Sequence, residues 1–329
     1  IRKIHTWWIM VFSILLTVIG ILGFSFSGSF YMLIVFAVPY GLGAGAIDAA
    51  VNHYVANNYS GRIMNFLHCF YGVGAIISPN IMAYALSRAT WHEGYRWTAY
   101  IQTGIMVICI LSLPLWKGKR TAEDERSDDT ASVSETIKLP GVILTLLAFF
   151  AYCSGEATCF VWTSSYFADT RPFLGKETVA SFGSLIFLGL MAGRIISGIF
   201  TNRLGDRRVI RIGIVTEILG IIIIAIPGLH YLAATAGFVM TGIGMGPVFP
   251  GIQHMAPINF TRKYSATVIG MQMASAYLGS TVMPMVFGHI QQAAGIWLMP
   301  YYLLLFAVMN LVLLELAYKA IRKDRMLNE

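Results

Sequence analysis

Charged residues are scarce in this sequence of 329 residues: Asp, Glu, Lys and Arg together make up 12%, roughly half the share of an ordinary soluble domain. Apolar residues make up 57%, and the mean hydropathy is +0.67. This balance excludes a soluble domain and a disordered chain, which need far more charge. Cysteine is also rare, with four scattered residues, which excludes a disulfide-stapled domain.

Motifs of enzyme active sites are lacking as well. Gly41, Gly43 and Gly45 are not followed by the last glycine of a dinucleotide site, and they lie inside an apolar run. Cys153 and Cys159 have the wrong spacing for a metal knuckle and suit small buried hydrophobes. The sequence therefore predicts no cofactor, no metal site and no enzymatic activity.

Long apolar runs dominate the chain instead. A helix needs about 20 apolar residues to cross a bilayer, and these runs lack the alternation of a membrane β-strand. We predict an all-α integral membrane protein in contact with the lipid bilayer, with ten spans present. The predicted spans cover residues 7–24, 30–55, 64–86, 95–116, 139–167, 179–200, 209–227, 231–252, 265–288 and 300–318.

A polar stretch, residues 117–138, separates four spans from six and is typical of a solvated linker. The predicted domains are residues 1–116, the cytoplasmic linker 117–138, and residues 139–329. With residue 1 in the cytoplasm, eighteen Lys and Arg residues lie on the cytoplasmic side and four on the other, while Arg194 lies inside a span. This bias predicts a multi-pass protein with both termini in the cytoplasm, and it explains the net charge of +7 without a nucleic-acid partner.

An internal repeat relates the two parts of the chain. Three pairs of landmarks recur in the same order at offsets of 205, 201 and 205 residues, which predicts a tandem of two similar helical halves. The pairs are Arg2-Lys3-Ile4 with Arg207-Arg208-Val209, the glycines from Gly41 to Gly45 with those from Gly242 to Gly246, and Pro79 with Pro284. Residues 139–206 lack a counterpart before Ile1. We therefore expect a fragment of a parent with two six-helix bundles, lacking the first two spans; the alternative is a ten-span protein processed at its amino end.

The segment from Gly198 to Arg208, GIFTNRLGDRR, carries a family resemblance. It resembles G-x-x-x-D-R-x-G-R-R, the loop signature of the major facilitator superfamily, with Asn in place of the signature Asp. The resemblance implies a conformational loop whose charge latch is weakened. The residues of this loop are Asn202, Arg203, Gly205, Arg207 and Arg208.

Within that superfamily, the glycine-rich segment around Asp48 and the segment from Asn65 to Pro79 are similar to the fucose permease branch. In that branch a carboxylate on the fourth helix and polar residues on the fifth line a sugar cavity, and transport is commonly coupled to protons. The resemblance implies that Asp48, Asn65 and His68 bind substrate. Asn52 shares the helical face of Asp48. The alternative for all four residues is a static hydrogen-bonded clamp between helices.

Other polar residues inside the spans are functional candidates, because an ionisable group in hydrocarbon is costly. Glu156 lies among apolar neighbours, which favour its neutral form, and we predict that Glu156 or Asp48 carries the coupled proton. Trp162 is predicted to stack on a sugar ring, or else to anchor the helix at the membrane interface. Gln253 and Gln272 are predicted to complete the substrate cavity, against the alternative of helix packing. Glu217 is set aside because its helical face offers no second polar residue.

These observations predict a monomeric secondary transporter in the plasma membrane. It would move a sugar or similar small polar solute by alternating access, with the proton as coupling ion. One alternative is a membrane sensor that kept a transporter fold; another is a truncated, inactive fragment.

Overall fold

The computed structural model describes residues 6–116 and 131–328 of the chain, and these residues are almost entirely helical. No strand occurs within these two ranges. Short turns join the helices, as expected for helices that run back and forth across a bilayer. The helices are α1 (Thr6–Phe26), α2 (Phe30–Asn58), α3 (Gly61–Arg88), α4 (Trp91–Trp116), α5 (Val133–Thr136), α6 (Val142–Thr170), α7 (Lys176–Leu204), α8 (Asp206–Ala225), α9 (Tyr231–Met245), α10 (Val248–Ala294) and α11 (Met299–Asn328).

Each of the ten predicted spans coincides with a helical segment. The backbone of Thr261 is non-helical, with φ 61° and ψ 163°, and it divides α10 into residues 248–260 and 262–294. The span predicted at 231–252 therefore comprises α9 and the first part of α10. Among the described residues, seven segments are long and apolar enough to cross a membrane by length and composition alone. One of the seven, Tyr231–Ala294, contains both of these parts of the chain.

The described residues belong to two compact units. Unit 1 comprises Ile1–Asn58 and Val73–Thr130, and unit 2 comprises Tyr59–Gly72 and Ala131–Glu329. The first turns of α3 thus belong to unit 2. The predicted domains 1–116, 117–138 and 139–329 stay a prediction.

Some sequence landmarks lie outside the described residues. Residues 117–130 of the linker, the pair Arg2-Lys3 and the side chain of Pro79 are among them. The last part of the linker is described and contains α5, where the Glu135 carboxylate lies 3.6 Å from the Lys263 ammonium.

Unit 1 contains α1 packed against α2 and α4. Small residues on α1 allow a close approach: a Cβ atom on Gly20 would lie 2.9 Å from the Cα atom of Tyr40. The side-chain amide of Gln102 on α4 donates a hydrogen bond of 3.2 Å to the hydroxyl of Thr17 on α1. Close contact through small residues is the usual way in which helices associate in lipid, where no hydrophobic force drives them together.

In unit 2, glycines at the end of α9 bring this helix into backbone contact with α8 and α7. A Cβ atom on Gly244 would lie 2.6 Å from the Cα atom of Glu217 on α8. A Cβ atom on Gly246 would lie 2.7 Å from the backbone nitrogen of Arg194 on α7. The glycines that marked the predicted repeat therefore have a packing role here, and they hold Glu217 and Arg194 close to α9.

Candidate functional site

Glu156 on α6 forms the centre of a polar cluster inside unit 2. The hydroxyl of Tyr152, one turn earlier on the same helix, lies 2.7 Å from the Oε1 atom of Glu156 and 3.0 Å from the carbonyl oxygen of Met245. Met245 is the last residue of α9, and carbonyl groups at helix ends lack partners within their own helix. The end of α9 thus supplies an acceptor to α6.

The Tyr152 hydroxyl has one proton and two oxygen neighbours. It can donate to the ionised carboxylate of Glu156 or to the Met245 carbonyl, but it satisfies both contacts best when Glu156 is protonated and donates to the tyrosine oxygen. The tyrosine proton then points to Met245. The geometry therefore accommodates both the charged and the neutral form of Glu156.

Arg194 on α7 is the cation of this cluster, and only 3% of its surface is exposed. Its Nη2 atom lies 3.8 Å from Glu156 Oε1. Its Nη1 atom donates a hydrogen bond of 2.7 Å to the carbonyl oxygen of His68 on α3, and the guanidinium lies over the ring of Tyr71. Its Nε atom is buried without a hydrogen-bond partner. A donor therefore remains available beside the carboxylate.

Asn65 on α3 has an amide that is already engaged on both sides. Its oxygen accepts a hydrogen bond of 2.6 Å from the hydroxyl of Ser197 on α7, and its nitrogen donates one of 2.9 Å to the carbonyl of Gly61. Buried polar groups that are satisfied in this way hold helices together. The contact favours the clamp alternative for Asn65, while its predicted role in substrate binding stays a prediction.

Gln253 and Gln272, both on α10, are fully buried and keep unused hydrogen-bonding capacity. The nitrogen of Gln253 lies 3.2 Å from the sulfur of Met273, and its oxygen has no partner. Neither amide atom of Gln272 has a hydrogen-bond partner. Since Met273 is the neighbour of Gln272, the two side chains lie in the same region of unit 2. Buried polar atoms without partners are rare in folded proteins, and these suit a polar ligand or water.

The remaining predicted substrate residues have other surroundings. Asp48 is half-buried and Asn52 is buried on α2, in unit 1. The ring of His68 lies 4.9 Å from that of Phe249. The indole nitrogen of Trp162 donates a hydrogen bond of 3.0 Å to the carbonyl of Pro284, which fixes this ring against α10. The roles predicted for these four residues stay predictions.

Of two further buried polar residues, sequence reasoning set aside Glu217 and missed Asn310. Glu217 on α8 is 2% exposed, and its Oε2 atom has no partner. Asn310 on α11 is fully buried, and neither of its amide atoms has a hydrogen-bond partner. Arg211 pairs with Glu315, and Arg207 lies over the ring of Tyr318. The helices α8 and α11 therefore run in opposite directions, which places Asn310 near the level of Glu217. A lone polar residue in an apolar run was the available signal for both.

The predicted conformational loop is reduced to Gly205, because α7 ends at Leu204 and α8 begins at Asp206, so the other predicted loop residues lie in these helices. Gly205 has a φ of 79°, which a side chain would strain, while Asn202, Arg203 and Arg208 are exposed. The guanidinium of Arg207 donates a hydrogen bond of 3.2 Å to the Asn259 side chain and lies over the ring of Tyr318. These contacts join the start of α8 to α10 and α11.

Asp206, the first residue of α8, is the acidic residue of this segment. Its carboxylate lies 3.0 Å from the Nδ1 atom of His254 on α10, and the Nε2 atom of His254 lies 3.0 Å from the carbonyl oxygen of Tyr59. A Cβ atom on Gly61 would lie 3.2 Å from His254 Nδ1. The start of α3 therefore packs directly on this pair.

Long apolar helices with an ionisable cluster in their midst are typical of a multi-pass membrane protein with a polar functional site. A sequence model of the Major Facilitator Superfamily matches residues 3–284 and 174–328, and the chain belongs to that family. The predictions of the superfamily, of an all-α membrane fold and of a protein that is not an enzyme are confirmed.

Individual relatives are distant in sequence. Bypass of stop codon protein 6 of Saccharomyces cerevisiae is 22% identical over 308 residues, which span 83% of this chain and 61% of the yeast protein. A probable sulfoacetate transporter of Cupriavidus necator is 20% identical over 300 residues, 84% of this chain and 70% of that protein. The crystal structure of the Escherichia coli fucose:proton symporter superimposes with a TM-score of 0.78 at 17% identity, covering 97% of this chain and 85% of the symporter. The predicted resemblance to the fucose permease branch is thereby confirmed at the level of the fold.

Proposed function

We propose that this protein is a secondary transporter that moves a small polar solute across the plasma membrane by alternating access, in symport with a proton. Its two helical halves, residues 1–116 and 139–329, would rock about a solute site. The cluster of Tyr152, Glu156 and Arg194 is the observation that carries this proposal.

The cluster has the properties of a proton site. An ionised Glu156 is partly neutralised by Arg194 at 3.8 Å, and a protonated Glu156 can donate to Tyr152. Two protonation states with different partners are what proton coupling requires, because each state must favour a different arrangement of the helices. A carboxylate with a purely structural role needs one stable set of partners. The proposal therefore assigns the coupled proton to Glu156, and Asp48 remains the second candidate.

The solute site is proposed from the predicted residues that retain hydrogen-bonding capacity. Gln253 and Gln272 offer three amide atoms without partners, which suit the hydroxyl groups of a sugar. Asn65, His68 and Trp162 are the other proposed substrate residues of unit 2, and Asp48 and Asn52 are those of unit 1. The fucose:proton symporter, which shares the fold, supports a neutral sugar as the solute.

An organic anion is the second candidate solute. The unpartnered Nε atom of Arg194 could bind a carboxylate or sulfonate group, for which arginine is well suited. The probable sulfoacetate transporter among the relatives supports this candidate. The two candidates differ in charge, so they can be separated experimentally.

Uptake into vesicles tests the proposed function. The full-length protein in liposomes is expected to accumulate either L-fucose or sulfoacetate when the outside is made acidic, and a protonophore is expected to abolish the accumulation. Accumulation of sulfoacetate alone would select the anion, whereas accumulation of the sugar alone would select the neutral solute. Protein-free liposomes are the control. If a broad panel of sugars and small organic anions gives no accumulation that depends on the pH gradient, proton-coupled transport is contradicted.

The orientation in the membrane is also proposed, with both termini in the cytoplasm. In intact cells, a cysteine at Ser127 in the linker is expected to resist an impermeant thiol reagent, and a cysteine at Phe173 is expected to react. Phe173 is 72% exposed, so access there does not depend on unfolding. Replacing Cys69 and Cys109 by serine removes the partly exposed native thiols. Inverted labelling would contradict the bias of Lys and Arg on which the orientation rests.

A further inference from the structure

A cavity of about 550 Å³ lies at one end of unit 2, where α6 and α8 end and where α9 and α11 begin. This is the opposite end of α8 from Asp206, and therefore a different place from the loop between α7 and α8. The volume is in the range of cavities that bind small organic molecules. Its walls include five aromatic side chains, those of Tyr166, Phe173, Tyr231, Trp297 and Tyr301, beside aliphatic residues from the end of α8.

Arg171 lines this cavity, although only 8% of its surface is exposed. The structure gives its guanidinium two hydrogen bonds, of 2.7 Å from Nη1 to the hydroxyl of Thr170 and of 3.0 Å from Nη2 to the carbonyl of Leu229. A guanidinium has five N–H donors, so donors remain. Within the described part of the chain, no carboxylate forms an ion pair with Arg171. A buried cation without an anion is unfavourable, and the nearby rings of Tyr166 and Phe167 compensate its charge only in part.

His230 adds a second donor to the wall of the cavity. Its Nδ1 atom accepts a hydrogen bond of 3.3 Å from the backbone N–H of Leu232, so the neutral ring carries its proton on Nε2. The side chain therefore remains an N–H donor. An arginine and a histidine donor within an aromatic wall match a ligand with an anionic head and an apolar body.

We propose that this cavity is a binding site for an amphipathic organic anion, whose carboxylate or phosphate head bonds to Arg171 and whose apolar body packs on Trp297 and Tyr301. The site is separate from the cluster at Glu156 and does not depend on the proposed transport. The anion can come from the aqueous phase or from a phospholipid headgroup. Both sources share the chemistry that the cavity recognises.

Binding of two probes to the purified protein tests the site. In detergent, 3-phenylpropionate is expected to quench the fluorescence of Trp297, measured as the difference between the protein and its Trp297→Phe variant, with a saturable dependence on concentration. In nanodiscs, phosphatidylglycerol retained by the protein is counted by native mass spectrometry. Arg171→Gln is expected to weaken, at least tenfold, the binding of whichever of the two probes binds to the native protein. Arg171→Lys is expected to weaken this binding less.

Arg88→Gln is the matched control, because it removes the same charge from the end of α3 in unit 1. Binding in this variant is expected to be unchanged. Saturable binding of the carboxylate alone identifies a soluble ligand, and retention of the lipid alone identifies a headgroup site. The proposal is overturned if neither probe binds, or if Arg171→Gln and Arg88→Gln bind equally well. A thermal melt of each variant shows whether a loss of binding comes from unfolding.

Discussion

Replacing Glu156 by Gln is expected to abolish uphill accumulation of the solute while solute exchange down a gradient continues. The glutamine side chain preserves size and hydrogen bonding but cannot exchange a proton. A carrier without an exchangeable proton cannot draw on the proton gradient, yet it can still reorient with solute bound. The solute concentration inside the vesicles should reach only the outside concentration. The rate of solute exchange should remain within a few fold of the rate in the native protein.

The experiment compares accumulation driven by a pH gradient with exchange at equal pH, in the same vesicles. Glu315→Gln is the matched control, because the side chain of Glu315 is 41% exposed and pairs with Arg211 near the start of α8. Both activities should survive in this variant. Tyr152→Phe removes the hydroxyl beside Glu156 and is expected to shift the pH dependence of accumulation without abolishing exchange.

A purely structural role of Glu156 predicts a different pattern. The variant would then lower the amount of folded protein in the membrane and reduce accumulation and exchange together. The amount of protein must therefore be measured beside both activities. Unchanged accumulation that depends on pH would remove Glu156 from the coupling step, and the same experiment on Asp48→Asn would then test the second candidate.

Replacing Gly244 by Val is expected to prevent unit 2 from folding. A Cβ atom at this position would lie 2.6 Å from the Cα atom of Glu217, which is closer than real atoms approach. Most overpacked sites cost about 1–3 kcal/mol because side chains move aside. Here the neighbour is backbone, so α8 and α9 would have to separate, and we expect a larger loss. The variant should give little monodisperse protein in size-exclusion chromatography.

Gly270→Val is the control for this experiment, since a Cβ atom at Gly270 meets nothing within 4 Å. Gly270 also lies inside a helix, so both variants carry the same helix-propensity penalty of a β-branched residue. The control should be recovered in nearly native amount, and Gly244→Ala should fall between the two. Equal recovery of both valine variants would show that the contact of α8 with α9 is not needed for folding.

The sequence alone determined the class of the protein and the positions of its long helices. Hydropathy is a property of the chain that does not depend on partners, because every helix in lipid must satisfy its own backbone and present apolar side chains. For this reason all ten predicted spans coincide with helical segments. The residues from Gly198 to Arg208 were similarly sufficient to predict the superfamily. They were not sufficient to show that Asp206 approaches His254, which lies on another helix.

Only the tertiary structure decided which polar side chains meet inside the spans. Glu156 was a candidate from its position, but its approach to Arg194 depends on the rotation and register of α6 and α7. Glu217 was set aside because no polar residue shares its helical face, yet it is buried at the contact of α8 with α9. Helical periodicity describes neighbours on one helix. The partners that decide the state of a buried charge lie on other helices, far away in the sequence, and side-chain packing sets their distances.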